Sequence, residues 1–183
     1  MRESGFTIFE LIAVVSIVAI SASLAVPSFR ETIRNNRIIT TSNDVLTGLT
    51  LARTEAIRRN QTVTICGSSD PEAAVPSCVG TGAWTDGWVV FVDADNNTQP
   101  TNAAEIVRKQ AVDAKGIEII RSGGASRISF TPNGLALTFN STVSVCDDRK
   151  GDSSEHEHMR NVILNNSGRL RIAPPTTAVP LAC

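Results

Sequence analysis

The hydrophobic pattern of the chain begins with a long apolar stretch near the N-terminus. From Phe6 to Val26 almost every residue is apolar, and the exceptions are one acid, Glu10, and a few hydroxyl residues. A membrane-spanning helix needs roughly 20 such residues, so the stretch predicts a hydrophobic transmembrane helix over 6–28. An ionisable group at membrane depth costs roughly 3 kcal/mol to insert, and this cost predicts a functional role for Glu10.

After Pro27, where a helix can kink without ending, the pattern becomes amphipathic. Apolar residues recur at three- and four-residue spacings, as they do on one face of a helix. These residues are Ile38, Val45, Leu49, Ala52 and Ala56, with Ser42 on the same face. Five arginines are available for the solvated sides of this helix: Arg34, Arg37, Arg53, Arg58 and Arg59. We therefore expect one helix from Phe6 to Arg59, about 80 Å long at 1.5 Å per residue, whose amphipathic part, 29–60, packs on a sheet.

The rest of the chain, 61–183, has the pattern of short strands separated by turn residues. The predicted strands cover 61–66, 87–92, 105–112, 116–121, 126–131, 135–139, 142–146, 161–164 and 169–172. A turn is predicted at 132–134, and a hairpin turn is predicted at 165–168. One long helix followed by many short antiparallel strands predicts an α+β fold, with a β-rich globular domain over 61–183.

Composition and charge narrow the function classes. The chain has 183 residues and a formal net charge of -1, which suits one globular domain with an anchor helix. This charge gives no general attraction to nucleic acid, so any such site must be a local patch. Aromatic residues make up 4% of the chain, which argues against a base-stacking platform for single strands. Of the two tryptophans, we expect Trp88 in the core and Trp84 nearer the surface.

The chain has four cysteines, Cys66, Cys78, Cys146 and Cys183. If the domain folds outside the cytoplasm, an even number predicts two disulfides, and four cysteines allow about three pairings. Sequence proximity favours Cys66–Cys78, which leaves Cys146–Cys183 to tie the C-terminus to a strand. A four-cysteine zinc site is the alternative, but the sequence has no Cys-x-x-Cys pair, and disulfides are the stronger interpretation.

Oxygen-bearing side chains alternate in Asp93-Ala-Asp95-Asn-Asn97, as they do at the start of a calcium loop. The calcium-loop pattern also requires Gly and Glu at positions that Thr98 and Ala104 occupy here. Because Asp and Asn are ordinary turn formers, we interpret the segment as a loop and assign no metal. The sequence offers no nucleophile motif and no phosphate-binding glycine loop, so we expect no enzyme activity and no cofactor.

The residues around Glu10, Gly5-Phe6-Thr-Ile-Phe-Glu10, resemble the class III signal of type IV prepilins. The resemblance implies a leader peptide over 1–5, which the prepilin peptidase removes by cleavage between Gly5 and Phe6, with methylation of the new N-terminal Phe6. Glu10 would then meet the N-terminal amine of a neighbouring subunit during assembly. A secretory signal peptide and a simple membrane anchor are the alternatives, and a signal peptide gives no reason for Glu10.

Two arginines alternate along the last predicted strand, Arg169-Leu-Arg171-Ile. Side chains alternate across a strand, so Arg169 and Arg171 are expected on one face, about 7 Å apart. Arginine binds phosphate bidentately and keeps its charge, so the pair is a candidate phosphate site. Gly168 and Asn166 let the backbone turn tightly beside it. Two arginines on a solvated strand face are also an ordinary surface feature.

Three features together resemble the FimT/GspH family of minor pilins and pseudopilins. They are the prepilin start, the strand Gly87-Trp-Val-Val-Phe-Val-Asp93 and the terminal Gly168-Arg-Leu-Arg171. The resemblance implies a type IV pilin-like fold, in which the long helix packs on an antiparallel sheet. It also implies that Gly168, Arg169 and Arg171 form a DNA-binding element used in natural transformation. Further cations that would enlarge this patch are Arg160, Arg149 and Lys150.

The expected function is therefore that of a minor type IV pilin that binds double-stranded DNA without sequence preference. The chain would start as a single-pass protein of the bacterial inner membrane with a periplasmic globular domain. It would then join an extracellular pilus, near the tip, through contacts of its N-terminal helix with other pilins. The alternative is a pseudopilin of a type II secretion system, or a minor pilin that primes assembly, with a purely structural role.

Overall fold

The computed structural model describes residues 7–112, 116–122, 126–138, 140–147 and 158–174. A single helix, α1, runs over Ile8–Arg59 and ends where the amphipathic pattern ends. The chain divides after Asn36 into two compact units, which are considered separately.

The first unit is the N-terminal part of α1, and its described side chains are exposed. Phe9 and Ile8 are 86% and 76% exposed. The Glu10 backbone N–H donates to Thr7 Oγ1 at 3.3 Å, so Thr7, the residue before α1, is its N-cap. The helix is long and apolar enough to cross a membrane. A continuous exposed apolar surface of this size is typical of a segment that membrane or other proteins cover.

The second unit contains the rest of α1, and the predicted amphipathic face is confirmed. All the apolar residues that define this face are at most 2% exposed: Ile38, Val45, Leu49, Ala52 and Ala56. Ser42 lies on the same buried face, where its hydroxyl donates to the Ile38 carbonyl at 2.6 Å. Gly48 allows a close approach, because a Cβ there would lie 2.7 Å from Trp88 Nε1.

Eight strands form two antiparallel sheets of four strands each. The strands are β1 (Val63–Gly67), β2 (Gly87–Val92), β3 (Ile106–Ala111), β4 (Ile117–Arg121), β5 (Arg127–Phe130), β6 (Ser141–Asp147), β7 (Met159–Leu164) and β8 (Leu170–Ala173). A 3-10 turn, Ala103–Glu105, precedes β3. The first sheet has the order β3-β2-β1-β5, and the second has the order β4-β6-β7-β8.

The main core forms where α1 meets both sheets. The buried face of α1 packs with Ile65 and Phe130 of the first sheet and with Ile119 and Val162 of the second sheet. The first sheet also has a smaller apolar cluster, in which Cys66 packs with Val89 and Phe91. Burial on both faces explains why β2 is a continuous apolar run. β1 is buried as well, but it alternates, with Thr64 between Val63 and Ile65.

Two expectations about the fold were wrong. Trp84 is fully buried, not near the surface, because its indole N–H finds a partner inside and donates to the Ser126 carbonyl at 3.1 Å. Residues 135–138 form no strand, and Ala136 makes a single bridge to Phe130. The segment pairs with β5 only around this bridge, where the Leu137 N–H donates to the Ser129 carbonyl and the Thr131 N–H donates to the Leu135 carbonyl, at 2.9 Å each. On its other side the Ala136 N–H donates to the Asn166 carbonyl at 3.1 Å.

Candidate functional site

The β7–β8 hairpin carries the predicted arginine pair. The Asn165 N–H donates to the Arg169 carbonyl at 3.0 Å, and the Gly168 N–H donates to the Asn165 carbonyl at 2.8 Å. Gly168 has φ of 76°, so the connection is a type I turn followed by a left-handed residue that forms a bulge. As a result β8 starts at Leu170, and Arg169 lies in the turn rather than inside the strand.

Arg169 and Arg171 are both exposed, while the residues between and after them, Leu170 and Ile172, pack against the core. Within the part of the chain that the structure describes, neither arginine has a carboxylate partner or a side-chain hydrogen bond. Both guanidinium groups are therefore available to an external anion. Because the net charge of the whole chain is -1, the positive charge of this pair is confined to one part of the surface.

Arg53 of α1 holds the hairpin against the rest of the domain, a role that helical spacing alone does not predict. Its Nε donates to the Gly134 carbonyl at 3.0 Å, and its Nη2 lies 3.5 Å from the Ser167 carbonyl. One helix side chain thus contacts both turns, at 132–134 and at 165–168. The clue in the sequence is its position beside Ala52, at the edge of the buried face rather than on the solvated side.

The two turns touch each other through their glycines. A Cβ on Gly168 would overlap the Gly134 carbonyl oxygen and would lie 2.7 Å from Arg53 Nε. Gly134 also has a positive φ, of 74°, and a Cβ there would lie 2.8 Å from Ile57 Cδ1. The close contact between the turns therefore requires glycine at both positions, and it fixes the backbone from which Arg169 projects.

A cleft of about 440 Å³ lies between α1 and the hairpin, beside the Arg53 contacts. One wall consists of Thr50, Arg53, Thr54 and Ile57 of α1, and the other consists of residues 168–170. The cleft therefore brings Arg53 and Arg169 to one concave surface.

Three other arginines of the domain differ from this pair. Arg58 and Arg59 donate to Glu55 at 2.6 Å each, and hydrogen bonding to these two arginines lowers the pKa of Glu55 to about 2. Burial lowers the pKa of Arg121, which is 5% exposed. Neither group offers an exposed and uncompensated charge.

The structure does not bring Arg160 together with the arginine pair. Arg160 is opposite Val145 in the β6–β7 ladder, and Ile163 is opposite Arg171 in the β7–β8 ladder. Side chains alternate along a strand, so Arg160 and Ile163 point to opposite faces of the second sheet. The expectation that Arg160 enlarges the patch around Arg171 is therefore wrong. Arg149 and Lys150 lie outside the described residues.

The Asp93 segment forms a hydrogen-bonded loop. Asp93 is 3% exposed, accepting from the Thr64 hydroxyl at 3.1 Å and from the Thr98 N–H at 3.1 Å. Asp95 accepts from the Asn97 side-chain amide at 2.8 Å. Among the described residues no group of three His, Cys, Asp or Glu side chains is placed to hold a metal ion. The carboxylates here stabilise the turn.

Cys66 and Cys78 form a disulfide, the pairing that sequence proximity favours, with their Cα atoms 5.5 Å apart. Gln99 attaches this loop to the neighbouring one, because its side chain accepts from the Cys78 N–H at 2.8 Å and donates to the Cys78 carbonyl at 3.3 Å. Cys146 is also disulfide-bonded. Its predicted partner, Cys183, lies outside the described residues.

At the N-terminus, Gly5 and Phe6 lie outside the described residues. Glu10 lies in the first turn of α1, where its side chain is exposed. An acid in the first turn of a helix is favoured by the helix dipole.

The fold, a long N-terminal helix packed on antiparallel sheets, is the type IV pilin-like fold that the sequence predicts. It is similar to the crystal structure of the type IV minor pilin FimU of Pseudomonas aeruginosa, with a TM-score of 0.59 and 19% identity over 76% of this chain and 90% of that chain. It is also similar to the minor pseudopilin EpsH from the type 2 secretion system of Vibrio cholerae, with a TM-score of 0.51 and 15% identity over 76% of this chain and 98% of that chain.

The family model for the type II transport protein GspH matches residues 41–168, which is well over half of the chain. The chain therefore belongs to the GspH family, and it is a minor pilin or pseudopilin of the FimT/GspH type. Pilins and pseudopilins are structural subunits rather than enzymes, in agreement with the prediction from the sequence. A search of curated protein sequences finds no match.

Proposed function

We propose that the chain is a minor pilin of a type IV pilus that binds double-stranded DNA for uptake in natural transformation. The observation that carries this proposal is the pair Arg169 and Arg171, exposed and unpaired within the described residues on a hairpin fixed by Arg53. Phosphate contacts of this kind position a protein on DNA without reading its sequence. The family match ends at Gly168, so the arginines themselves, and not the match, support DNA binding.

The assembly part of the proposal depends on the apolar helix. The prepilin peptidase would cleave between Gly5 and Phe6 while the chain is anchored in the inner membrane, with its globular domain in the periplasm. The mature chain would then enter the pilus, near its tip, through helix contacts with other pilins. Glu10 would pair with the N-terminal amine of a neighbour.

The test is a binding isotherm of the full-length chain, disulfides formed, in neutral detergent micelles with duplex DNA at several salt concentrations. We expect binding that weakens with salt. The double variant Arg169→Gln, Arg171→Gln should bind far more weakly. The negative slope of log affinity against log salt should become shallower by about 2, one for each phosphate contact.

The matched control is the double variant Arg58→Gln, Arg59→Gln, which removes the same charge from the α1 cluster around Glu55. It should keep the wild-type slope. Equal losses in the two double variants would indicate a general charge effect and would refute a site at Arg169 and Arg171.

A type II secretion pseudopilin is the second candidate, and the similarity to EpsH and the description of the matching family favour it. In that case the full-length chain should not bind duplex DNA even in low salt, and the arginine substitutions should leave both filament assembly and transformation unchanged.

A further inference from the structure

We propose that the DNA site extends from the hairpin across the cleft to α1, where Arg53 supplies a third guanidinium group for a backbone phosphate. This inference rests on the proposed function, because its ligand is the phosphodiester of the same DNA. It adds a second wall to a site that the sequence places on the hairpin alone.

Arg53 carries a positive charge that its own contacts do not neutralise. Its guanidinium makes two contacts, both to neutral carbonyl oxygens, through Nε and Nη2. The nearest acid in sequence, Glu55, accepts from Arg58 and Arg59 instead. Within the described part of the chain Arg53 therefore has no ion pair, and the N–H groups of Nη1 remain for another acceptor.

Arg53 and Arg169 line the same cleft of about 440 Å³, which is open to solvent and has room for a phosphate group with its waters. Arg53 is half-buried and held by the two turns, so little side-chain entropy is lost when it binds an anion. A planar, preoriented guanidinium is well suited to bidentate phosphate contact.

The walls of the cleft are neutral apart from Arg53 and Arg169. Thr50 and Thr54 are exposed on the α1 side of the cleft, and their hydroxyls donate to carbonyls one turn earlier, at 2.7 and 2.8 Å. No carboxylate lines the cleft. The described surface around Arg53 is thus neutral or cationic, which is the condition for attracting a phosphate to a protein whose net charge is -1.

The deciding variant is Thr54→Glu in the full-length chain, because it places a negative charge in the cleft without removing the Arg53 contacts. We expect duplex DNA affinity at low salt to fall about fivefold, as for one unfavourable charge contact at the surface. The control is Thr47→Glu, the same substitution at an exposed position of α1 about 10 Å away along the helix and outside the cleft. Equal affinities for the two variants would overturn the inference.

Arg53 itself is tested with two substitutions and a urea-melt check that each variant is folded. With Arg53→Gln the negative slope of log affinity against log salt should become shallower by about 1. Arg53→Lys keeps the charge and should retain the wild-type slope. If the slope becomes as shallow with Arg53→Lys as with Arg53→Gln, then Arg53 acts by holding the turns, and the phosphate contact is refuted. Where an Arg53 variant does not fold, Thr54→Glu decides.

The two proposals fail in different ways. If the variants of Arg169 and Arg171 lose DNA while those of Arg53 and Thr54 do not, the site is confined to the hairpin and the proposed function stands. If the wild-type chain does not bind duplex DNA in low salt, both proposals fail.

Discussion

Gly168 links the backbone of the hairpin to the position of the arginine beside it. Its φ of 76° lies in the left-handed region, and it is packed against the Gly134 turn with no space for a side chain. The sequence indicates that this glycine lets the chain turn. The second constraint, contact with Gly134, is not visible in the sequence because it depends on how two distant turns meet.

Gly168→Ala should therefore destabilise the globular domain. A left-handed alanine costs about 1–2 kcal/mol, and the overlap with the Gly134 carbonyl adds to that cost, so we expect a loss of about 2 kcal/mol or more. Urea unfolding followed by tryptophan fluorescence measures it, since both Trp84 and Trp88 are buried. Gly80→Ala is the control, because a Cβ there meets nothing within 4 Å, and its effect should stay within about 0.5 kcal/mol. Similar losses at the two glycines would contradict this explanation.

Arg53 shows what helical spacing alone leaves open. The spacing correctly separates the buried face of α1 from the rest, and it gives Arg53 to the solvated side. A residue at the edge of that face can reach partners that lie far away in sequence, and here these are Gly134 and Ser167. Periodicity identifies the face of a helix, but it does not identify which turns pack over its edge.

At the scale of elements, the helix and most strands follow from the sequence because their patterns are long or clearly bounded. The end of α1 at Arg59 and the whole of β2 lie where the pattern places them. The failure at 135–138 has a physical cause: its apolar residues Leu135 and Leu137 are 48% and 58% exposed. An alternating apolar segment resembles a strand whether or not a partner strand is present, and pairing is a tertiary property.

The last turns of α1 carry an ion cluster whose pH dependence can be measured. Hydrogen bonds from Arg58 and then Arg59 lower the pKa of Glu55 from 4.5 to about 2. A carboxylate with a lower pKa in the folded state stabilises that state fully above the unfolded value, and the contribution is lost as the pH falls through about 2. The Glu55 cluster therefore stabilises the domain at neutral pH.

The expected result is that Glu55→Gln is less stable than the wild type at pH 7 and that the difference shrinks as the pH falls from about 5 to about 2. Urea melts across this range measure the free energy of unfolding of both proteins. Glu72→Gln is the control, since Glu72 is exposed and makes no hydrogen bond within the described residues. It should leave stability nearly unchanged at pH 7. A Glu55→Gln difference that does not change with pH would exclude the ion cluster as its cause.

At the scale of the whole molecule, the chain combines a globular unit with an N-terminal helical unit whose apolar residues are exposed. The matched family region, 41–168, starts inside α1, so it covers most of the globular unit and none of the apolar stretch 6–28. The role of 6–28 depends instead on its apolar pattern and on the one acid within it. An apolar segment needs only membrane or other apolar helices to cover it, whereas Glu10 needs a specific partner.

This difference makes Glu10→Ala the decisive substitution for the assembly proposal. The variant stays apolar enough to enter the membrane, so its amount in the inner membrane should match that of the wild type. Its amount in sheared pili should fall strongly, because the N-terminal amine of the neighbour would be left without its partner in a low-dielectric environment. Immunoblots of the membrane and pilus fractions measure both quantities. Glu31→Ala removes an acid from the same helix beyond the apolar stretch and should leave the pilus fraction unchanged. Normal amounts of Glu10→Ala in pili would show that the helix assembles through apolar contacts alone.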